Sequence, residues 1–286
     1  MILDGHIHIR DGEMDREGFA RRLQEAGVAG GILISLPPAA FPGVATTKAH
    51  AERLKHLLAW CEAVPNLHPF YWIDPTEPDA ADQVALAVDG GAKGFKIICD
   101  RYYPGDERVL PVLRRIAAAK RPVLFHSGIL WDGKASSRYN RPAEFEALLE
   151  VDGLKFAIAH MSWPWCDECV AVYGKFLNAY SRRPDLSVEM FIDLTPGTPP
   201  IYRKDALRKL LTVGYDIENN LIFGSDCSAN EYNVAWTRKW HVRDRGIYHK
   251  LHVSRAAVRK IFGGNLRRFL GLSAEKFEKK ALRPGE

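Results

Sequence analysis

A (β/α)8 barrel, the TIM-barrel form of the α/β class, is predicted from two features of this 286-residue sequence. Eight short apolar segments alternate with longer segments in which apolar residues recur at three- and four-residue steps, the pattern of strands and amphipathic helices. The alternation runs without a linker over about 250 residues, the length that such a barrel needs. We therefore expect a single domain over residues 1–286, with an open doubly wound sheet as the alternative.

The predicted strands are apolar runs of six to nine residues, each followed by a helical segment, as right-handed crossovers between parallel strands require. We place the strands at residues 1–9, 30–35, 67–74, 92–98, 122–127, 155–161, 186–193 and 220–226. The helical segments lie at residues 16–27, 46–64, 79–90, 106–120, 141–151, 166–183, 202–214 and 253–272.

Composition indicates an ordinary globular protein, since 47% of the residues are hydrophobic and 26% are charged. The net charge of +5 does not by itself indicate a nucleic-acid partner, and an anionic small molecule fits it equally well. No signal peptide or membrane span is expected, because Asp4 and His6 interrupt the first apolar run and no run approaches about 20 residues. Five cysteines, an odd number, favour a reducing cytoplasm. The oligomeric state is left open, with a homo-oligomer as one option.

The first strand carries the stretch Gly5-His6-Ile7-His8. Side chains alternate along a strand, so His6 and His8 face one side while Ile7 faces the other. Two aligned imidazoles supply half of a metal site, although a lone His-x-His also recurs by chance. Further ligands must therefore come from other strands.

Polar side chains also stand at the exits of four later strands. They are Lys96, His126, His160 and Asp226. Chemistry on a barrel lies at the C-terminal ends of the strands, where these groups converge with His6 and His8. Each alone is more often a hydrogen-bonded residue or a helix cap than a ligand, but the set as a whole indicates Zn²⁺ or a similar ion such as Mn or Fe.

The whole chain resembles the metal-dependent amidohydrolase superfamily, in particular its branch of decarboxylases and lactonases. The resemblance lies in the order His-x-His, His, His, Asp and in the closing segment 261–272, IFGGNLRRFLGL. It implies that His6, His8, His126 and Asp226 bind the metal, and that His160 is either a further ligand or an acid/base beside it. The nuclease-like branch fits less well, because Lys96 stands where that branch has a glutamate.

If the resemblance holds, the enzyme is a hydrolase in which the metal activates water and Asp226 accepts its proton. Decarboxylation of a small unsaturated or aromatic acid would use the same ligands and stays open. A non-catalytic metal-binding barrel or sensor is a second alternative, although structural zinc sites are usually closed and rich in cysteine.

Lys96 lies in a Gly94-Phe95-Lys96-Ile97 segment similar to that of hydantoinase-like members, in which a strand-four lysine is carboxylated and bridges two metals. The branch that the whole chain resembles often keeps one metal and an unmodified residue near this position. We therefore expect Lys96 to face the metal pocket, with one ion favoured over two.

Loops at the strand exits contain candidate substrate-binding residues. Arg10 and Arg101 suit a carboxylate on the substrate, although such cations are often only solvated. Trp163 and Trp165 follow His160 and suit the wall of a site for a flat organic molecule, or packing against the barrel rim. Asp193, after the seventh strand, is similarly placed and has no assigned role.

Overall fold

The computed structural model describes residues 1–41 and 47–272. The predicted domain over 1–286 also includes residues 42–46 and 273–286, and the predicted helix 46–64 begins at residue 46; these positions lie outside the described residues. Within the described residues the strands are Ile2–His8 (β1), Val28–Ile34 (β2), Leu67–Trp72 (β3), Gly94–Ile97 (β4), Val123–Phe125 (β5), Lys155–Ile158 (β6), Glu189–Asp193 (β7), Leu221–Ile222 (β8) and Cys227–Ser228 (β9).

Helices separate most of the strands and cover the outside of the sheet. They are Arg16–Ala26 (α1), His50–Cys61 (α2), Ala80–Asp89 (α3), Val109–Ala118 (α4), Cys166–Arg182 (α5), Pro200–Thr212 (α6), Val234–Lys250 (α7), Arg255–Arg259 (α8) and Asn265–Phe269 (α9). No helix in the described part of the chain is both long and apolar enough to cross a membrane.

The strands are parallel and lie in the order β8-β7-β6-β5-β4-β3-β2-β1-β9. Because β8 pairs with β7 and β9 pairs with β1, β8 and β9 are two pieces of one strand that closes the ring. Backbone hydrogen bonds from Gly5 N to Phe223 O (2.8 Å) and from Asp226 N to His6 O (3.0 Å) join this strand to β1. The predicted (β/α)8 barrel is confirmed, with its eighth strand interrupted.

Two apolar layers hold the barrel. The inner layer fills the lower part of the ring with residues such as Leu3, Phe70 and Phe191, and α9 closes it from below with Leu266 and Phe269. The outer layer, between the strands and the helices, includes Ile7 on β1. The pairing of β1 with β2 shifts register between Asp4 and Ile7, so Leu3 packs inside the lower barrel while His6 and His8 line the cavity above it.

The structure departs from the predicted elements in three places. Residues 141–151, predicted as an α-helix, contain the 3₁₀ helix Pro142–Glu150. The C-terminal segment 253–272 is divided into α8, a π-helical turn over Lys260–Gly264, and α9. No helix is predicted between Asp226 and residue 253, yet α7 spans seventeen residues there. Its buried side includes Thr237 and Asp244 beside Trp240, so polar residues interrupt the apolar period that predicts a helix.

Candidate active site

Three side chains at the mouth of the barrel converge on one point. His6 and His8 come from β1, and Asp226 comes from the interruption between β8 and β9. The two imidazole Nε2 atoms lie 3.1 Å apart, and Asp226 Oδ1 lies 3.6 Å from each of them. Ligand atoms about 2.1 Å from a tetrahedral Zn²⁺ lie about 3.4 Å from one another, so the triangle has the size of a zinc-binding face.

The ring of His6 is held by a carboxylate from β7, which only the interrupted eighth strand separates from β1. His6 Nδ1 donates to Asp193 Oδ2 at 2.6 Å, which leaves the Nε2 lone pair directed into the triangle. Asp193 is fixed in turn by Thr195, whose backbone N–H donates to Asp193 Oδ1 at 2.8 Å. A carboxylate behind a metal-binding histidine fixes its tautomer and orientation. The sequence placed Asp193 at a strand exit but gave no reason to pair it with His6.

Asp4 is a second buried carboxylate that sequence reasoning missed. Its Oδ1 accepts hydrogen bonds from His6 N (3.1 Å) and Ser225 N (2.9 Å), and its Oδ2 accepts from the Tyr232 hydroxyl (2.8 Å). Burial raises the pKa of Asp4 to about 6. Asp4 therefore ties β1 to the interrupted eighth strand just below the triangle. In the sequence, the position of this carboxylate within an apolar strand is the one signal of its role.

Lys96 lies beside the triangle, with Nζ 3.4 Å from His6 Nε2. The side chain is buried, and burial lowers its pKa to about 8, against the opposing effect of Asp193 and Asp226. Lys96 thus faces the pocket, and its ammonium competes with a metal ion for the same imidazole nitrogen. A bound ion requires this ammonium to move away or to lose its proton.

His126 and His160 border the triangle without joining it. Among the described residues around this point, only His6, His8 and Asp226 have ligand atoms all within 4.8 Å of one another. His126 Nε2 donates instead to the carbonyl of Ile129 at 3.2 Å. The His160 ring centroid lies 5.0 Å from that of His126 and 5.4 Å from that of His6.

Burial controls the charge of the site. It lowers the pKa of His6 and His8 well below the usual histidine range and lowers that of His160 to about 4. Desolvation raises the pKa of Asp226, whose side chain is 38% exposed, to about 7 against the opposing charge of Lys96. The three imidazoles are therefore neutral at pH 7, the form in which histidine binds metals.

A cavity of about 770 Å³ opens above these residues. The triangle, Lys96, His126 and His160 line it, together with two of the four predicted substrate-binding residues, Arg10 and Trp163.

The other two predicted substrate-binding residues lie outside the cavity lining. Arg101 pairs with Asp74 and with Asp100, the latter at 3.0 Å. Trp165 packs beneath the guanidinium of Arg141 at 5.1 Å.

Comparison with known proteins identifies the family of this chain and solved structures that share its fold. The amidohydrolase family model matches residues 3–272. A comparison with curated protein sequences finds no match.

Three solved structures share the fold over nearly the whole chain. A probable 2-pyrone-4,6-dicarboxylic acid hydrolase from Acinetobacter baumannii, with citric acid bound, is 15% identical with a TM-score of 0.60, covering 94% of this chain and 99% of its own. A 2,6-dihydroxybenzoate decarboxylase with 2,6-dihydroxybenzoate is 13% identical with a TM-score of 0.63, covering 95% and 98%. An amidohydrolase from Burkholderia multivorans with bound zinc is 12% identical with a TM-score of 0.64, covering 96% and 100%.

Proposed function

Because the chain belongs to the amidohydrolase family, we propose that it is a metal-dependent hydrolase whose single domain spans residues 1–286. Its substrate is a small organic molecule that carries a carboxylate. The observation that carries this proposal is the triangle of His6, His8 and Asp226, whose sides of 3.1, 3.6 and 3.6 Å suit a divalent ion. The expectation of an amidohydrolase-like enzyme is confirmed at the level of the family.

In this proposal His6, His8 and Asp226 hold one zinc ion, the metal that the Burkholderia neighbour contains. Two neutral imidazoles and a carboxylate leave a coordination position open, which is typical of catalytic rather than structural zinc. His126 joins the ligands only by giving up its hydrogen bond to Ile129 O. One ion is favoured over two, because His6, His8 and Asp226 are the one group of ligand atoms that lies together at this point among the described residues.

Bound zinc supplies a water of lowered pKa and polarises a carbonyl oxygen. Asp226 would accept the proton of the attacking water, because its carboxylate lies beside both imidazoles of the triangle. His160 is neutral and lies beside His6, so it would accept a hydrogen bond from the reacting groups. Arg10 binds the carboxylate of the substrate at the mouth of the cavity.

Decarboxylation is the second candidate, and the aromatic walls of the cavity favour it. Trp72 and Trp163 line the cavity, as suits a flat unsaturated acid, and one structural neighbour is a decarboxylase of such an acid. That reaction needs a proton donor to carbon, and because His160 is neutral at pH 7 the donor would be Lys96 or Asp226. Hydrolysis is the main proposal because it needs no proton transfer to carbon.

Metal content and a substrate panel test the proposal. Purified protein should contain about one equivalent of zinc by elemental analysis, and the variant His6→Ala/His8→Ala should contain almost none. His249→Ala, at an exposed histidine on α7, is the matched control and should keep its metal. Lactones, amides and unsaturated acids are then tested with the zinc-loaded protein. Full metal retention by the double variant, or turnover without metal, contradicts the proposal.

We also propose a cytoplasmic location. All five cysteines are free thiols, and three of them are buried, which suits a reducing compartment.

A further inference from the structure

The cavity is larger than a single-ring acid requires. Its volume of about 770 Å³ lies in the upper part of the range of about 300–1,000 Å³ found for pockets that hold drug-sized ligands. Apolar side chains form much of its wall, including Leu36, Phe41 and Trp72, and the rings of Phe41 and Trp72 lie 4.9 Å apart. The cavity therefore offers apolar surface well beyond the metal-binding triangle.

Aromatic side chains continue this surface out to solvent. We call Trp131, Trp163 and Tyr202 the aromatic rim. Trp131 and Trp163 line the cavity, and Tyr202 stacks on Trp163 with ring centroids 6.5 Å apart. Trp131 is 83% exposed and Tyr202 is 54% exposed. Large exposed aromatic groups beside a cavity mark a binding surface, because covering them releases much apolar area from water.

Besides the buried Lys96 beside the triangle, the cavity lining holds a second cation that is available to an anion. Arg10 lines the cavity and makes no ion pair among residues 1–41 and 47–272. Asp11, its neighbour in the lining, is held by Lys48 at 2.6 Å, and Asp132 accepts a hydrogen bond from Ser136 Oγ at 2.7 Å. Both carboxylates therefore have partners of their own, and the Arg10 guanidinium is free to bind an anionic group.

From the cavity volume, the aromatic rim and Arg10 together, we propose that the substrate is an amphiphilic acid larger than one ring. Its carboxylate binds Arg10, its reactive group reaches the triangle, and a flat apolar portion lies along the cavity wall and against the aromatic rim. This inference rests on the proposed function, because it assigns a substrate class to the same site. Trp131 and Tyr202 are then specificity-determining residues.

Binding of a graded series of acids to the zinc-loaded enzyme tests this inference. The probes are benzoate, 2-naphthoate and biphenyl-4-carboxylate, with biphenyl-4-carboxamide as the neutral partner, and Kd is measured by calorimetry. We expect Kd to fall at least about tenfold from benzoate to biphenyl-4-carboxylate, because the second ring covers the aromatic rim. Trp131→Ala and Tyr202→Ala should each lose about fivefold on the biphenyl acid and less than about twofold on benzoate.

Tyr103→Ala is the matched control, since Tyr103 is 40% exposed but does not line the cavity, and it should bind every probe as the parent does. The inference is overturned if affinity does not rise with the second ring or if no probe binds. It is also overturned if the rim variants lose affinity equally for all acids. A size gain shared equally by the biphenyl acid and its amide leaves the rim standing and contradicts the carboxylate preference in the proposed function. Tighter binding of the acid than of the amide, without a gain from the second ring, contradicts the role of the aromatic rim and leaves the carboxylate preference standing.

Discussion

Asp193 lies outside the triangle that we propose binds the metal, yet it holds the ring of His6 in place. Its contact with His6 Nδ1 leaves Nε2 of that ring directed into the triangle. Asp193→Asn keeps the size of the side chain but removes its charge and one acceptor oxygen. We expect the zinc affinity of the apoprotein to fall about 10- to 100-fold, measured by competition with a chromophoric chelator.

Asp205→Asn, at an exposed position of α6, provides the comparison for charge loss alone and should bind zinc as the parent does. An unchanged affinity in Asp193→Asn would show that the orientation of His6 is set by other contacts.

The candidate site could be predicted from sequence only where residues follow a local pattern. His6 and His8 share a strand face by alternation, and Asp226 follows the last apolar run. The pairing of Asp193 with His6 joins residues 187 positions apart on strands that are not neighbours in the sheet. No local sequence pattern predicts a contact between residues so far apart in the chain. For the same reason the sequence could not show that Arg101 pairs with Asp74 and lies outside the cavity lining.

His68 on β3 gives a pH dependence that is independent of the metal. Burial, followed by the charges of Arg267 and Lys93, lowers its pKa in the folded protein below 6.5. Below about pH 6.5 the unfolded chain binds a proton that the folded chain does not, so the stability that the neutral ring provides is lost as pH falls. In urea unfolding at pH 7.5 and 5.5, His68→Gln should therefore lose less free energy of unfolding than the parent. An equal loss in both would contradict this.

At the scale of elements, the segment after β6 adopts a conformation that the sequence does not announce. His160, Met161 and Ser162 have φ values of 61°, 47° and 57°, in the left-handed region. A non-glycine residue pays about 1–2 kcal/mol there. The hydroxyl of Ser127 donates to Ser162 Oγ at 2.8 Å and anchors this turn beside His126.

Substitution at Ser162 measures this strain. Ser162→Ala and Ser162→Gly both remove the hydroxyl, but only glycine relieves the backbone. We expect Ser162→Gly to be about 1 kcal/mol more stable than Ser162→Ala in urea unfolding. Equal stability of the two variants would show that the left-handed turn stores no strain.

The helix α7, which the sequence analysis missed, is attached to α6 by a buried ion pair. Arg203 donates from Nε to Asp244 Oδ1 at 3.0 Å and from Nη2 to Oδ2 at 2.6 Å, and both side chains are fully buried. Asp244→Asn leaves the arginine charge buried with a neutral partner. Removal of one member of such a pair costs about 3–5 kcal/mol, which thermal and urea unfolding should detect.

The exposed pair of Lys209 and Asp167, at 2.7 Å, is the control for that experiment. Asp167→Asn should cost less than about 1 kcal/mol. A similarly small effect of Asp244→Asn would mean that the packing of Trp240 and Tyr248, not the ion pair, holds α7. The alternation of strands and helices was enough to predict the barrel, whereas α7 escaped because its inner face uses this paired carboxylate instead of an apolar residue.

On the scale of the whole molecule, the triangle lies across the line where the barrel closes. His6 and His8 are on the first strand and Asp226 is on the last, and the ladder between β1 and β9 has only the pairs Ile7 with Cys227 and His8 with Ser228. Close approach below the triangle depends on Gly5, where a Cβ would lie 2.5 Å from Ile222 Cγ2. A metal ion held by all three side chains would therefore link the first strand of the barrel to the last.

We expect zinc to stabilise the protein and its removal by a chelator to destabilise it. An ion that binds only the folded chain adds about 2.7 kcal/mol to the free energy of unfolding at a free concentration 100 times its Kd. Urea unfolding of the apoprotein and of the zinc-loaded protein measures this difference. At the same zinc concentration Asp226→Asn should lose most of the gain, because only the ligands on β1 remain. If the gain is the same in that variant, the ion does not join the first strand to the last, and the triangle is not its site.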